Sequence, residues 1–248
     1  MIDKGTLFVL PKTALIAPST TANATSASNM LHDEKALVWR STGLGAYLDI
    51  EQTGEWDTIA FAGTNLLATN AVRVRAATTK SGVETAPAID TTFQAFSGVA
   101  KATGSMVLFR LPASVSYPYI RVDFSAPDNP AGFIQISNMI LGKALEWDGI
   151  DQGAEVSFDN AGSSYLRKYQ TKPTWKITIS GITQKAWYDV WEDFCLKASE
   201  REGFLFVPIY NDEFMQKRSA YVSMVGSPKL TYITSDILNV ELTVTTIQ

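Results

Sequence analysis

The sequence predicts a mainly β protein in two parts: an N-terminal antiparallel β-sandwich, followed by a C-terminal α+β barrel with one helix. Two observations lead to this prediction. Short β-prone runs separated by turn signals follow one another from Leu37 to Ile136, with no amphipathic helix between them. From Trp175 to Val207 the period of the apolar residues changes from 2 to 3.6 and back, which is typical of a strand, a helix and a strand.

The predicted strands of the sandwich either alternate apolar and polar residues or form short apolar runs. They cover residues 37–41, 46–50, 56–62, 71–76, 106–111, 119–124 and 132–136. Residues 78–92 are polar, contain Gly82 and Pro87, and are expected to form a long loop. Residues 1–30 are expected to form a lead-in and a Ser/Thr-rich arm, which either wraps a neighbouring molecule or packs on its own domain. The sandwich is then expected over residues 31–144.

The second part, residues 145–248, is organised around a helix predicted over residues 184–199. Thr183 suits the N-cap of this helix because its side-chain oxygen can accept a backbone N–H. An apolar stripe at helical spacing follows, made of Trp187, Val190, Trp191, Phe194 and Ala198. Aromatic side chains bury roughly 150–250 Å² each, so a sheet must cover this face. The expected core of the C-terminal domain is Trp175, Trp187, Trp191 and Phe194, and a turn at Glu146–Gly149 is expected to begin this part.

The composition argues against several classes of function. Of the 248 residues 46% are apolar, and the net charge is −4, so electrostatic binding of nucleic acid is not expected. No apolar run reaches the roughly 18 residues of a membrane span. The N-terminus is too short and too weakly basic for a signal peptide, so we expect folding in a cytoplasm without export by that route.

The residue types available for catalysis are few. His32 and Cys195 are the single histidine and cysteine, which excludes metal sites built from several His or Cys ligands. Cys195 is expected to be a buried thiol in the helix, with a reactive thiol as the alternative. A calcium site at Asp123, Asp128 or Asn129 stays open. We expect no enzymatic activity, no catalytic residue, no metal and no cofactor.

Two positions are candidates for stacking on a sugar ring. They are Trp39 together with its neighbour Arg40, and Trp56. The alternative is that both tryptophans lie in the core of the sandwich.

A third candidate is a subunit interface in the loop at residues 210–218. Tyr210, Phe214 and Met215 lie there among charged residues, a composition that is typical of interfaces. The alternative is that this loop packs back onto its own domain.

Several segments of the first part carry a resemblance to a known family. They are Asn29-Met30, Val38-Trp39-Arg40-Ser41, residues 56–60, Thr64-Asn65-Leu66, Val72-Arg73-Val74-Arg75, residues 119–124 and residues 132–136. Over roughly residues 13–142 the chain resembles the galactose-binding-like jelly roll of discoidin or coagulation factor 5/8 C-type domains. The resemblance implies a jelly roll that decorates or stabilises an assembly or binds a sugar. The disulfide of such domains is absent because the chain has one cysteine.

The second part carries another resemblance, in residues 174–179, the helix 184–199, residues 203–208 and residues 240–246. It resembles the β-barrel domain of bacteriophage distal tail and minor tail proteins, over about residues 145–248. This implies a tail-tube-like barrel in a structural virion protein at the tail tip, next to the baseplate.

The implied assembly is a homo-oligomeric ring, commonly hexameric, with the tail tube, tail hub and tape measure proteins as partners. The ring would be assembled in the host cytoplasm. The alternative is a carbohydrate-binding module that recognises a polysaccharide of the host surface.

Overall fold

The computed structural model describes residues 6–11, 14–22, 25–33, 37–98, 106–147, 155–161, 170–199, 203–210 and 213–247. For residues 155–161 and 170–172 it describes the backbone alone. The strands up to residue 147 are β1 (Thr6–Val9), β2 (Ala14–Pro18), β3 (Trp39–Arg40), β4 (Gly45–Gln52), β5 (Trp56–Ala62), β6 (Ala71–Ala77), β7 (Ile89–Gln94), β8 (Val107–Val115), β9 (Tyr119–Ser125), β10 (Gln135–Ile136), β11 (Asn138–Gly142) and β12 (Ala144–Trp147).

The later strands are β13 (Glu155–Ala161), β14 (Gln170–Thr183), β15 (Phe204–Val207), β16 (Ala220–Met224), β17 (Lys229–Tyr232) and β18 (Ile237–Thr246). The helices are a 3-10 helix (Ala27–Leu31), α1 (Gly82–Thr85), α2 and α3 (Met215–Arg218). Helix α2 is continuous and consists of an α-helical turn (Gln184–Ala186), a π-helical turn (Trp187–Trp191) and an α-helix (Glu192–Ser199).

Two layers of antiparallel strands form the predicted sandwich. One is a five-stranded sheet in the order β2-β4-β9-β6-β7, and the other combines the three-stranded sheet β11-β5-β8 with the pair β3-β10. Leu48 and Val122 of the first layer share one apolar core with Phe61 and Ile136 of the second. The mainly β fold class with an N-terminal sandwich is therefore confirmed.

Strand β5 is buried at all its positions because it has a core on each side. Ile59 and Phe61 face the sandwich core, whereas Ala60 and Ala62 face a second cluster. We call this cluster the junction core; it comprises Leu7, Val9, Ala60, Ala62, Met106, Leu108, Ile140, Leu205, Val207 and Tyr221. The junction core joins the sandwich to the sheet of the second part.

The second part is built on an eight-stranded antiparallel sheet. Its order is β12-β1-β15-β16-β18-β14-β13, and β17 pairs with β18. Helix α2 covers one face of this sheet, with Trp187, Trp191 and Phe194 packed on apolar residues of β1, β14, β15 and β18. The sequence predicts a barrel here. Among the described residues no pair joins β12 to β13, so the sheet is open in this part of the chain.

Strand β1 corrects the predicted arm over residues 1–30. It lies between β12 and β15, with Phe8 opposite both Leu145 and Phe206, and all its residues are buried. Strand β2 extends the five-stranded sheet by pairing with β4. Leu7, Phe8 and Val9 thus lie in a strand buried on both faces, for which a continuous apolar run is expected. The boundary predicted at residue 144 does not separate the sheets, since β1 belongs to the second one.

Helix α2 begins at the predicted residue, but its middle does not have the regular α-helical winding that the sequence predicts. The Thr183 hydroxyl accepts a hydrogen bond from Ala186 N at 3.1 Å, which confirms the N-cap. Val190, placed by its spacing on the apolar stripe, is 43% exposed. The reason is the π-helical turn at Trp187–Trp191, whose wider winding brings Trp191 over Trp187 and turns Val190 outward.

Two further sequence predictions are wrong. Residues 78–92, expected to form a loop, contain α1 and the start of β7, whose Asp90 pairs with Arg73 of β6. Of the turn expected at Glu146–Gly149, Glu146 and Trp147 instead belong to β12, which pairs with β1, and Asp148 and Gly149 lie outside the described residues. In both places a neighbouring strand supplies the hydrogen bonds that a local pattern does not reveal.

Candidate functional site

The loops that follow β2, β3, β5 and β9 meet at one end of the sandwich, which we call the loop end. Asn65 of the loop after β5 holds the chain near β10 through both ends of its amide. Its Nδ2 donates to Phe133 O at 2.9 Å, and its Oδ1 accepts from Gln135 N at 2.8 Å. Ser41 after β3 binds the same segment, since its hydroxyl accepts from Ile134 N at 2.8 Å. These hydrogen bonds fix the backbone conformation of the loops at the loop end.

Asp128 closes this network on the side of β6. Its carboxylate accepts hydrogen bonds from the Thr69 hydroxyl and from the Asn70 amide. These hydrogen bonds hold the pKa of the Asp128 carboxyl below its usual value, and the bond from Thr69 has the largest effect. A carboxylate satisfied in this way stabilises the two loops.

The exposed side chain of Arg40 and the half-buried side chains of Phe133 and Gln135 lie together at the loop end. We call this group of side chains the arginine platform. The Arg40 guanidinium carbon lies 5.1 Å from the centre of the Phe133 ring, and Arg40 Nε donates to Gln135 Oε1 at 2.7 Å. The pairing of Arg40 with Gln135 across β3 and β10 places these side chains together. The ring and the amide fix the orientation of the guanidinium while leaving it at the surface.

An open groove of about 480 Å³ lies beside β2 at the same end; we call it the hydroxyl groove. Its hydroxyl groups come from Thr21, Thr25, Ser26 and Ser28. Asn29 adds a side-chain amide, and Ile16 and Pro18 add apolar surface. None of the residues that line it is ionisable.

The hydroxyl groove adjoins the arginine platform through the backbone of β3. Arg40 O accepts from Ala22 N at 2.8 Å and is 3.5 Å from the Thr25 hydroxyl. Thr25 is a lining residue of the groove, so the groove reaches the backbone of Arg40, whose side chain belongs to the platform.

The structure corrects the predicted stacking tryptophans. Trp39 and Trp56 are 0% exposed, so neither ring can meet a ligand. The Trp39 Nε1 donates to Thr20 O at 3.1 Å, and the Trp56 Nε1 donates to Tyr117 O at 3.0 Å, which satisfies both indoles inside the core. Trp56 also begins β5 and therefore lies at the end of that strand opposite the loop end. Of the three predicted sugar-binding residues, Arg40 alone is on the surface.

The predicted subunit-interface residues lie beside the junction core. Tyr210 and Met215 pack against this core within one chain. The Arg110 guanidinium carbon lies 4.7 Å from the centre of the Tyr210 ring, and Arg218 covers the Phe214 ring at 5.1 Å. Tyr210 and Met215 join two parts of the same molecule, so the alternative of packing back onto the domain describes these two residues better.

The predicted core residues lie around Phe8. Trp187, Trp191 and Phe194 are buried, and Trp175 is partly buried against the same cluster. The ring centres of Trp191 and Phe194 are each 5.6 Å from that of Phe8, in edge-to-face contact. Phe8 belongs to β1, which explains why a sequence pattern within the second part did not include it.

Catalytic and metal-binding chemistry has few candidates in the described part of the chain. There, no group of three or more His, Cys, Asp or Glu residues is placed to hold a metal ion. Asp123, one of the possible calcium ligands, is paired with Arg75 at 2.8 Å. Burial raises the pKa of the Cys195 thiol to about 12. Within the described residues no helix combines the length and apolar character needed to cross a membrane.

Phe133, Gln135 and the hydroxyl groove are not among the site residues that the sequence predicts. The signal for the groove in the sequence is the run of hydroxyl residues before and within the 3-10 helix, whose composition also suits an arm. Phe133 and Gln135 carry no local signal, because they become a surface only when β10 pairs with β3.

Comparisons with known proteins give matches at the level of backbone structure. No protein-family model matches the sequence, and no curated protein matches it. The chain is similar to the family 32 carbohydrate-binding module of NanJ from C. perfringens, solved with galactose, at 12% identity and a TM-score of 0.37, over 54% of this chain and 98% of that one.

Two further matches are of the same kind. A chitosan-binding module of a chitosanase/glucanase from Paenibacillus sp. IK-5 has 14% identity and a TM-score of 0.38, over 54% of this chain and 96% of its own. The family 32 module of AlyQ, solved with 4,5-unsaturated mannuronic acid, has 12% identity and a TM-score of 0.39, over 51% of this chain and 92% of its own. These similarities concern the backbone fold of about half the chain.

Proposed function

We propose that this protein binds carbohydrate at the loop end of its sandwich and does not transform it. The hydroxyl groove is the observation that carries the proposal. Sugars present many hydroxyl groups and a few apolar C–H faces, and the groove offers both matching surfaces. Its hydroxyl and amide side chains supply donors and acceptors, while Ile16 and Pro18 supply apolar contact.

The polar groups of the groove keep unused hydrogen-bonding capacity. The Thr25 hydroxyl donates to Ala22 O at 2.8 Å and retains its lone pairs for a ligand donor. Asn29 donates from Nδ2 to Val38 O at 3.0 Å, which fixes the amide and leaves Oδ1 as an acceptor. Ser26 and Ser28 bond each other at 2.8 Å near the surface, so both are held in place. Positioned groups of this kind bind at a lower entropic cost than mobile ones.

A glycan array followed by calorimetry tests this function. Ser28→Phe places a large side chain in the groove and is expected to abolish glycan binding without unfolding the chain, because Ser28 is exposed. Thr53→Phe is the matched control, since Thr53 is an exposed turn residue beyond β4, at the end opposite the groove. Wild-type protein that binds no glycan on the array, or Ser28→Phe protein that binds as tightly as wild type, would contradict the proposal.

A second function, self-assembly, is favoured by the free edge of β17. This strand pairs with β18 alone among the described residues, and each of its residues is exposed. Ile233 N donates to Ile237 O at 2.8 Å, so bonded pairs alternate along the hairpin and the backbone groups of Leu230 and Tyr232 point away from β18. An apolar strand edge with unpaired donors and acceptors is suited to pairing with another chain.

Light scattering of the purified protein tests self-assembly. Tyr232→Lys places a charge on the edge and is expected to lower the molar mass to that of the monomer. Leu196→Lys, which alters a 57% exposed residue of α2, is the control and is expected to leave the mass unchanged. A wild-type monomer at all concentrations would contradict assembly. The tail-tip ring with its tail tube, tail hub and tape measure partners stays a prediction.

A further inference from the structure

Arg40 differs from the other arginines whose ion pairs the structure describes. Arg73, Arg75, Arg110 and Arg121 each contact an aspartate or glutamate within 4 Å. Among the described residues Arg40 has no such carboxylate, and its side-chain hydrogen bond goes to the neutral amide of Gln135. Its positive charge is therefore not compensated by an ion pair in this part of the chain.

The arginine platform also holds this charge in one orientation. A guanidinium has five N–H donors, and Arg40 uses Nε for the 2.7 Å bond to Gln135. The guanidinium also lies over the face of the Phe133 ring, which restricts its movement. The donors on Nη1 and Nη2 then remain as a pair at an exposed position, with the planar geometry that matches the two oxygens of a carboxylate.

We propose that Arg40 binds the carboxylate of an acidic sugar, such as a uronic acid, within a glycan whose neighbouring unit occupies the hydroxyl groove. This inference rests on the proposed function, because the groove identifies the ligand as a glycan and Arg40 adds the requirement for a negative charge. The groove itself has no ionisable lining residue. The discrimination between acidic and neutral glycans therefore falls to the neighbouring platform.

The experiment compares acidic polysaccharides with their carboxyl-reduced forms, which keep the sugar backbone and lose the charge. Calorimetry with wild-type protein is expected to give tighter binding of the acidic form. Arg40→Gln is expected to weaken binding of the acidic form by roughly 10- to 100-fold, because this is the usual loss of affinity when a hydrogen bond to a charged group is removed. The same variant is expected to bind the reduced form as wild type does. Arg40→Lys keeps the charge but loses the paired donors, so its affinity for the acidic form is expected to lie between those of the wild type and of Arg40→Gln.

Arg73→Gln is the matched control because it removes the same charge from the exposed outer face of β6. Equal weakening by Arg73→Gln would show a general charge effect and overturn the role of Arg40. Binding of the reduced form as tightly as the acidic form, or binding of sulfated glycans alone, would also overturn it while leaving carbohydrate binding intact. Absence of binding to any glycan would instead contradict the proposed function. Circular dichroism of each variant establishes that it is folded.

Discussion

At Trp39 and Arg40, two adjacent residues of one short strand face opposite sides of the sandwich. The Trp39 ring packs within the core, its centre 6.3 Å from that of Phe124, whereas Arg40 is exposed above Phe133. Alternation along a strand requires this separation. The pair therefore combines a core residue with a surface residue, and substitutions at the two positions should have different effects.

Trp39→Ala is expected to lower the free energy of unfolding by about 3–5 kcal/mol, because it leaves a large cavity in the core. Trp39→Phe should cost less, since it keeps part of the buried ring. Urea-induced unfolding followed by circular dichroism measures both. Arg40→Gln, at the exposed neighbour, should stay within about 0.5 kcal/mol of wild type. A Trp39→Ala protein that unfolds at the wild-type urea concentration would show that the ring is not part of the core.

Cys195 is expected to be unreactive in the folded protein. Burial raises its pKa to about 12, so at pH 8 the thiol is protonated, and the thiolate is the reactive form. In the unfolded chain the pKa returns to about 8.5, and reaction becomes fast. Titration with a chromogenic disulfide reagent at pH 8, with and without urea, measures this difference. Rapid reaction without urea would favour the reactive thiol.

At the scale of elements, α2 combines a capped start with a π-helical turn in the middle. The cap satisfies a backbone N–H that the first turn leaves without a partner. The π-helical turn sets Trp187 and Trp191 on the same face, over the sheet. The packing of α2 against the sheet depends on both features.

Thr183→Ala is expected to lower the free energy of unfolding by about 1 kcal/mol, the usual cost of removing a side-chain cap. Thr183→Ser keeps the hydroxyl and should lose much less. Thermal unfolding of the three proteins measures the differences. Equal losses in the alanine and serine variants would assign the effect to the missing methyl group and not to the Ala186 hydrogen bond.

At the scale of the whole molecule, the sandwich and the second sheet are joined by buried apolar and polar contacts. The junction core is the apolar contact, and β1, which precedes the sandwich in the chain, belongs to the second sheet. Gln216 of α3, which is 4% exposed, makes a polar contact between the two parts. Its Nε2 donates to Ala95 O at 3.0 Å, and its Oε1 accepts from Ser97 N at 3.0 Å.

Gln216→Ala is expected to lower the free energy of unfolding by about 1–3 kcal/mol, because it leaves backbone groups of the sandwich without partners. Lys217→Ala, at the exposed neighbour, serves as the control and should change little. Urea unfolding followed separately by tryptophan fluorescence and circular dichroism measures the change. If the two signals separate in the wild-type protein, the sandwich and the sheet unfold independently and the junction contributes less than expected.

The β class, most strands of the sandwich and the helix with its Thr183 cap follow from the sequence. These features depend on local information: the alternation of Ile120, Val122 and Phe124 within one strand, or the helical spacing of Trp187, Trp191 and Phe194. Local patterns specify which face of an element is apolar, and a sequence reports this directly.

Where the elements meet becomes visible only in the folded molecule. Folding places β1 in the second sheet, buries Trp39 and Trp56, and brings Phe133 beside Arg40. The sequence around Trp39 predicts a strand, but which of its two faces is covered depends on partners as distant as Gln135. Burial and site geometry arise from contacts between residues far apart in the chain, and such contacts leave no periodicity in the sequence.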